Sequence, residues 1–170
     1  MKSFIGILLM AAVLSIVVIQ NMRAEARTMN NLQITSPIFP HNGMIPSKFT
    51  CDGVNVSPPL SIANIPEKTR SLALIVDDPD ASSGMWVHWI VWNIGAGTKE
   101  ILEDSVPQGA IQGTNDFGKQ KYGGPCPPSG THRYYFKLYA LDASLALKSD
   151  ATKAQIEEAM KGHVLAQGEL

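Results

Sequence analysis

A chain of 170 residues with 45% hydrophobic content is long enough for one globular domain plus an extension, and too apolar for a disordered tract. Lysine and arginine total 14 against 15 aspartates and glutamates, a formal charge of −1, so there is no basic stripe for nucleic acid and no polybasic membrane anchor. The chain has no internal repeat or low-complexity segment, which excludes solenoid and fibrous architectures.

Residues 1–26 read as a secretory signal peptide. Lys2 supplies a short basic region, 4–19 are apolar apart from small residues, Gln20 and Asn21 end the run, and Ala24-Glu25-Ala26 fits an A-x-A cleavage site. The apolar run of about sixteen residues falls short of the roughly twenty that span a bilayer, so cleavage is expected over retention as an anchor. Cleavage after Ala26 removes Lys2, Arg23 and Glu25 and leaves 27–170 as a single domain of formal charge −2. That domain is expected to be exported, periplasmic or secreted, with no stable membrane insertion. A domain of this size buries about two-thirds of its unfolded surface, enough for a core.

Leu32 and Ile34 alternate into a short strand, and Pro37, Pro40, Gly43 and Pro46 mark an irregular connection after it. In 49–60, Asp52-Gly53 signals a turn and Pro58-Pro59 keeps the segment out of a central strand. Residues 71–76, SLALIV, form a continuous apolar run whose length and β-branched content favour a buried strand. It ends in Asp77-Asp78-Pro79-Asp80, where buried charge is costly unless paired. Asp77 is expected to cap a turn, while alternation through Pro79 puts Asp78 and Asp80 on one side of an extended chain. Residues 85–94 read as a strand apolar on both faces, as in a sheet covered on both sides. Strict alternation puts Trp86, His88, Ile90 and Trp92 on one face and Met85, Val87, Trp89, Val91 and Asn93 on the other. Alone, His88 reads as a core histidine satisfied by a neighbour. Beside Asp78 or Asp80 it becomes an imidazole at the base of a cleft.

Residues 95–121 are polar and glycine-rich, expected as a long loop with one short helical turn and a solvated charged face. The stretch 122–139, YGGPCPPSGTHRYYFKLY, has two halves. Its first half is loop, because prolines fix φ and remove donors while glycines permit tight turns and close approach. Its second half alternates, with His132, Tyr134, Phe136 and Leu138 to one side and Arg133, Tyr135, Lys137 and Tyr139 to the other. His132 and Tyr134 therefore lead the apolar face where the loop enters the core. Residues 152–161 form a helix with Thr152 and Gln155 in capping-box positions and an apolar stripe of Ile156, Ala159 and Met160, continued by Val164. Gly162 stops it, and 163–170, HVLAQGEL, close as a strand.

The order DPDA, HW, then GPCPP-x-G-x-HRY resembles the signature of the phosphatidylethanolamine-binding protein family, in its bacterial Raf kinase inhibitor-like branch. The blocks FTCDGVNVSPPL at 49–60 and GHVLAQGEL at the end match as well, so the likeness spans nearly everything after the first thirty residues. Two positions depart from the pattern. Ile62 stands where the family usually has tryptophan, and Ser82 replaces the proline of DPDAP.

The resemblance implies a mainly β fold, two packed antiparallel sheets in a β-sandwich with a C-terminal helix and short peripheral helices. It also implies a ligand pocket built from Asp78, Asp80, Trp86, His88, the Gly124, Pro125 and Cys126 loop, His132 and Tyr134. The expected ligand is a small phosphate-containing or zwitterionic molecule, bound without catalysis, cofactor or metal. Backbone N–H groups of Gly123 and Gly124, with histidine and tyrosine donors, suit phosphate oxygens, and the carboxylates suit an ammonium. Carboxylates repel a bare dianion unless His88 and His132 are protonated, so anion binding is expected to strengthen below about pH 6.5. Two other classes compete. Metal-dependent hydrolysis draws on the Asp and His residues but lacks a tight ligand motif such as H-E-x-x-H. A protein-interaction module is the other, since members of the family inhibit kinases or serine proteases; for an exported chain the partner would be a protease.

Cys51 and Cys126 are the two cysteines. An oxidising compartment and an even count favour a disulfide between them. The rival readings are two thiols beside the pocket, or a catalytic pair of Cys126 with His132.

Overall fold

The computed structural model describes residues 32–170. The segment 1–26 read as a signal peptide, its cleavage site and residues 27–31 lie outside the described residues. Eight strands and one α-helix organise the rest: β1 (Gln33–Thr35), β2 (Leu60–Ala63), β3 (Ser71–Asp78), β4 (Trp86–Gly95), β5 (Glu100–Ile101), β6 (Ile111–Gln112), β7 (Tyr135–Leu141), α1 (Lys153–Met160) and β8 (Val164–Glu169). A single 3₁₀ turn, Ser47–Phe49, follows Pro46.

Every strand pairing is antiparallel. A small sheet runs β1-β2-β5 and a larger one β6-β4-β3-β7-β8. All eight positions of β3 are buried, as the unbroken apolar run requires. One face of the large sheet, with Leu72, Leu74, Val76, Phe136 and Leu138, packs against Ile34, Leu60, Ile62 and Ile101 of the small sheet. Ile62 sits in this layer at 4% exposure. The opposite face, with Ala73, Ile75 and Leu141, is covered by Ile156 and Met160 of α1 and by Leu145. Each fully buried leucine, isoleucine or phenylalanine in these layers contributes about 1.5–3 kcal/mol by leaving water. Ile62 therefore fills the inner layer with aliphatic volume.

α1 starts where its cap is read: the Thr152 backbone N–H donates to Gln155 Oε1 at 2.9 Å. Gly162, at φ +78°, ends it in the left-handed region that glycine enters freely. Val164 does not extend the helix stripe; it opens β8 and is half exposed.

Strict alternation fails in β4. Val76 faces Trp89 and Asp77 faces Val87, so His88 has no partner on β3 and forms a bulge. Trp89 and Val91 therefore join the inter-sheet layer, while Val87, Ile90 and Trp92 face α1. Asp77 is not a turn cap. It is the last helix-side residue of β3, fully buried, with Lys137 Nζ at 2.8 and 3.1 Å from its two oxygens and Lys153 Nζ at 3.6 Å. The 3.1 Å approach alone has hydrogen-bond alignment. Lys153 reaches from α1, and burial opposes its charge; hydrogen bonding to Glu157 together with the charges of Glu157 and Asp77 more than offsets this and raises its pKa. The expected helical turn in 95–121 is absent; the segment holds the short strands β5 and β6 and a tight loop at 115–119.

Candidate functional site

The end of β3, the bulge of β4 and the entry to β7 converge on one cavity of about 210 Å³. Asp78, 3% exposed, points into it from β3. Its Oδ1 accepts the Asp80 N–H at 2.8 Å, an Asx turn that bends the chain at Pro79, and its Oδ2 accepts Nδ1–H of His132 at 2.7 Å. The bulge delivers His88, whose Nδ1 lies 2.6 Å from the Gly123 carbonyl. A carbonyl and a carboxylate only accept, so in neutral form both imidazoles carry their proton on Nδ1 and leave an Nε2 lone pair. Burial holds the His88 pKa below the ordinary histidine value, against the opposing pull of the Gly123 carbonyl and the Asp78 charge.

Tyr134 stands between the two imidazoles, its ring centroid 5.2 Å from His88 and 6.5 Å from His132. Its hydroxyl is closed off from solvent and makes no hydrogen bond within the chain; the Cys126 N–H lies near enough to weigh on its titration without closing a bond. Burial, then the Asp78 charge, pushes the phenol up to about 12, so it stays a protonated donor. Trp86 and Cys126 also line the cavity. His132 and Tyr134 border two neighbouring hollows of about 200 and 220 Å³ as well, but Asp78 and His88 open only onto the first.

Three residues expected in the pocket are elsewhere. Asp80 faces away: Arg133 grips it with Nε at 2.9 Å, a terminal nitrogen at 2.6 Å and its backbone N–H at 2.8 Å. These hydrogen bonds hold the Asp80 carboxyl well below the usual range. Pro79 turns the chain, so alternation does not carry Asp80 to Asp78's side. Gly124 and Pro125 do not line this cavity, and Pro125 lines the neighbouring hollow of about 220 Å³. The Gly124 N–H donates to Asn55 Oδ1 at 2.7 Å, and the Gly123 N–H to the His88 carbonyl at 3.0 Å, so neither is free for a phosphate. Gly124 is glycine because a Cβ there would strike the Phe49 carbonyl and Asn55 Oδ1. The Pro125 carbonyl accepts the Cys51 N–H at 3.0 Å, and Cys51 and Cys126 are disulfide-bonded with Cα atoms 5.4 Å apart. The bond leaves Cys126 no thiol, so it is not the nucleophile of a Cys126–His132 pair.

The cavity also contains residues that sequence reasoning did not select: Ala81, Ser82, Ser83, Phe117, Pro127 and Pro128. Membership of DPDA, or adjacency to it or to Cys126, was the available signal for five of them. Phe117, in a polar run, offered only an isolated aromatic before a glycine.

A family model described as phosphatidylethanolamine-binding protein matches residues 35–170. The chain belongs to the phosphatidylethanolamine-binding protein family. Among relatives of this family member, a UPF0098 protein of Methanothermobacter thermautotrophicus is 49% identical over 144 residues, covering 82% of this chain and 95% of its own. One from Chlamydia muridarum is 46% identical over 144 residues with the same coverage. Two crystal structures share the fold: a phosphatidylethanolamine-binding protein homologue from Chlamydia trachomatis, at TM-score 0.80 and 44% identity over 83% of this chain and 95% of its own, and YbcL of E. coli, described as a new member of the mammalian family, at TM-score 0.77 and 34% identity over 82% and 94%. In this family member Ser82, the departure from DPDAP, places a hydroxyl in the cavity lining.

Proposed function

We propose that the chain is an exported binding protein whose cavity takes a small phosphate-bearing or zwitterionic head group, and that it binds without catalysing a reaction. The observation that carries this reading is the Tyr134 hydroxyl, buried and without a hydrogen-bond partner, on a residue that lines the cavity. An unsatisfied buried hydroxyl costs about 1–3 kcal/mol, which a ligand oxygen placed there recovers. The Ser82 and Ser83 hydroxyls supply further donors, and Asp78 supplies a counter-charge for an ammonium. A volume of about 210 Å³ holds about seven waters, enough for a head group and too little for an acyl chain. Family membership supports binding over catalysis, and the engaged Cys126 removes the one nucleophile considered. The disulfide supports export, since such bonds persist in oxidising compartments. In this reading 27–170 is the mature domain, cleaved after Ala26.

Calorimetric titration with phosphoethanolamine and with inorganic phosphate tests it. Saturable binding is expected, weakened about tenfold in Tyr134→Phe, equivalent to one modest hydrogen bond, and lost in His132→Ala. No binding at millimolar ligand to folded protein refutes the reading. With His88 held below the ordinary range, inorganic phosphate binds more tightly as pH falls, because protonating this imidazole adds a cation and an Nε2 donor.

A further inference from the structure

The polar segment 115–121 contributes one residue, Phe117, to the cavity lining. Asn115 is 3% exposed while residues 116–121 are exposed. Its side-chain amide uses every donor and acceptor it has. Nδ2 donates to the His88 carbonyl at 3.0 Å and the Lys121 carbonyl at 2.8 Å, while Oδ1 accepts the N–H groups of Phe117 at 3.1 Å and Lys119 at 3.0 Å. Such full pairing fixes a loop because no alternative geometry keeps all four bonds. Asp116 ties the same loop to β4 on both sides, its N–H donating to the Val87 carbonyl at 3.0 Å and its Oδ2 accepting the Val87 N–H at 2.7 Å.

The outcome of this pinning is the position of Phe117. Its ring centroid lies 5.4 Å from that of His88 and 5.5 Å from that of Trp86, nearly perpendicular to both. It is 42% exposed and lines the cavity at its solvent side. Gly123 leaves it room: a Cβ there would sit 2.7 Å from two carbons of the Phe117 ring.

We propose that Asn115 is a positioning residue of the pocket and Phe117 its outer gate: Asn115 ties the loop to the His88 carbonyl, so that the Phe117 ring covers His88 and sets the width of the mouth and the size of head group that enters. The gate rests on the cavity being the ligand site; the covering of His88 does not.

Two readouts separate those parts. The first is the NMR titration of the His88 imidazole without ligand, in wild type, Asn115→Ala, Phe117→Ala and the double variant. The charged groups facing His88, Asp78 and Asp116, are kept in all four. Removing the ring or its anchor admits water and moves the His88 titration upward toward the ordinary histidine value. The double variant moves no further than Phe117→Ala, because Asn115 acts through Phe117. Phe117→Leu, which keeps an apolar cover, restores the wild-type titration. The second readout is the ratio of affinities for phosphoethanolamine and inorganic phosphate. It changes roughly tenfold in favour of the larger ligand in both single variants, the low end for a methylene-scale change in a pocket. An unmoved His88 titration in folded Phe117→Ala overturns the proposal, as do additive effects of the two single changes. If Asn115→Ala fails to fold, Phe117→Ala still decides. If no variant binds either ligand, the head-group reading and the gate fall, and the titration alone judges the positioning role.

Discussion

Gly124→Ala tests how closely the chain at Gly124 packs against the 47–55 loop. A Cβ at this position would strike the Phe49 carbonyl, lie 2.5 Å from Asn55 Oδ1 and 3.0 Å from the Thr50 Cα. None of these is the free end of a flexible chain, and Asn55 Oδ1 is also the acceptor of the Gly124 N–H. Relief requires the 47–55 loop to retreat by about 1 Å, the gap between such contacts and ordinary van der Waals separation. It cannot retreat freely. The Cys51–Cys126 bond, the Cys51 N–H to Pro125 carbonyl bond and the Tyr122 hydroxyl on the Phe49 carbonyl at 3.0 Å hold it. Overpacking costs about 1–3 kcal/mol and loss of the Asn55 bond about 0.5–1.5. Gly124 does not have a positive φ, so alanine fits its backbone and returns about 0.4–1 kcal/mol through the unfolded chain. The expected net loss is about 0.5–4 kcal/mol, read as a lower urea midpoint with unchanged slope. Gly97→Ala is the control. Nothing lies within 4 Å of its would-be Cβ and its φ is not positive, so it keeps only the unfolded-chain gain of about 0.4–1 kcal/mol and is expected at or slightly above wild-type stability. If Gly124→Ala matches Gly97→Ala, the reasoning from close approach is refuted.

Reducing Cys51–Cys126, which closes a sequence separation of 75 residues, is expected to lower stability by about 4 kcal/mol on the loop-entropy model while the loops keep their hydrogen bonds. Urea unfolding with and without a dithiol measures it, and a loss under about 1 kcal/mol contradicts the model. His88 gives stability a pH dependence. Its folded pKa is depressed, so near pH 6.5 the unfolded chain takes up a proton before the folded one does, and stability falls as pH drops through the window between the two values; above it both states are neutral and His88 contributes nothing. Unfolding titrations of wild type and His88→Gln from pH 8 to 5 should differ in slope only within that acid window. Lys137→Met leaves the fully buried Asp77 with only Lys153 at 3.6 Å and is expected to cost about 3 kcal/mol, the low end for breaking a buried pair. Chemical denaturation measures that loss, and a neutral result would show that Lys153 alone satisfies the carboxylate.

The sequence by itself determined the parts whose physics is local or periodic. The apolar run 71–76 favoured a buried strand, the Thr152–Gln155 spacing a helix start and Gly162 its stop, and all three are found there. The ordered motifs carried family and fold, and placed Asp78, His88, His132 and Tyr134 together before their distances were known. Tertiary structure decided what depends on partners far along the chain. Period-two alternation cannot show that His88 is an extra residue against β3, because a bulge appears only when two strands pair. Alternation does put Asp77 and Asp78 on opposite sides of the sheet, but it cannot name what each meets there, Lys137 for the first and His132 for the second. The N–H of Gly124 looked free until Asn55, 69 residues away, claimed it. Asn115 and Phe117 read as solvated loop because composition registers polarity, whereas Asn115 is buried with four hydrogen bonds, three closing its own loop and one, to the His88 carbonyl, that exists only once β4 and the 115–121 loop are brought together.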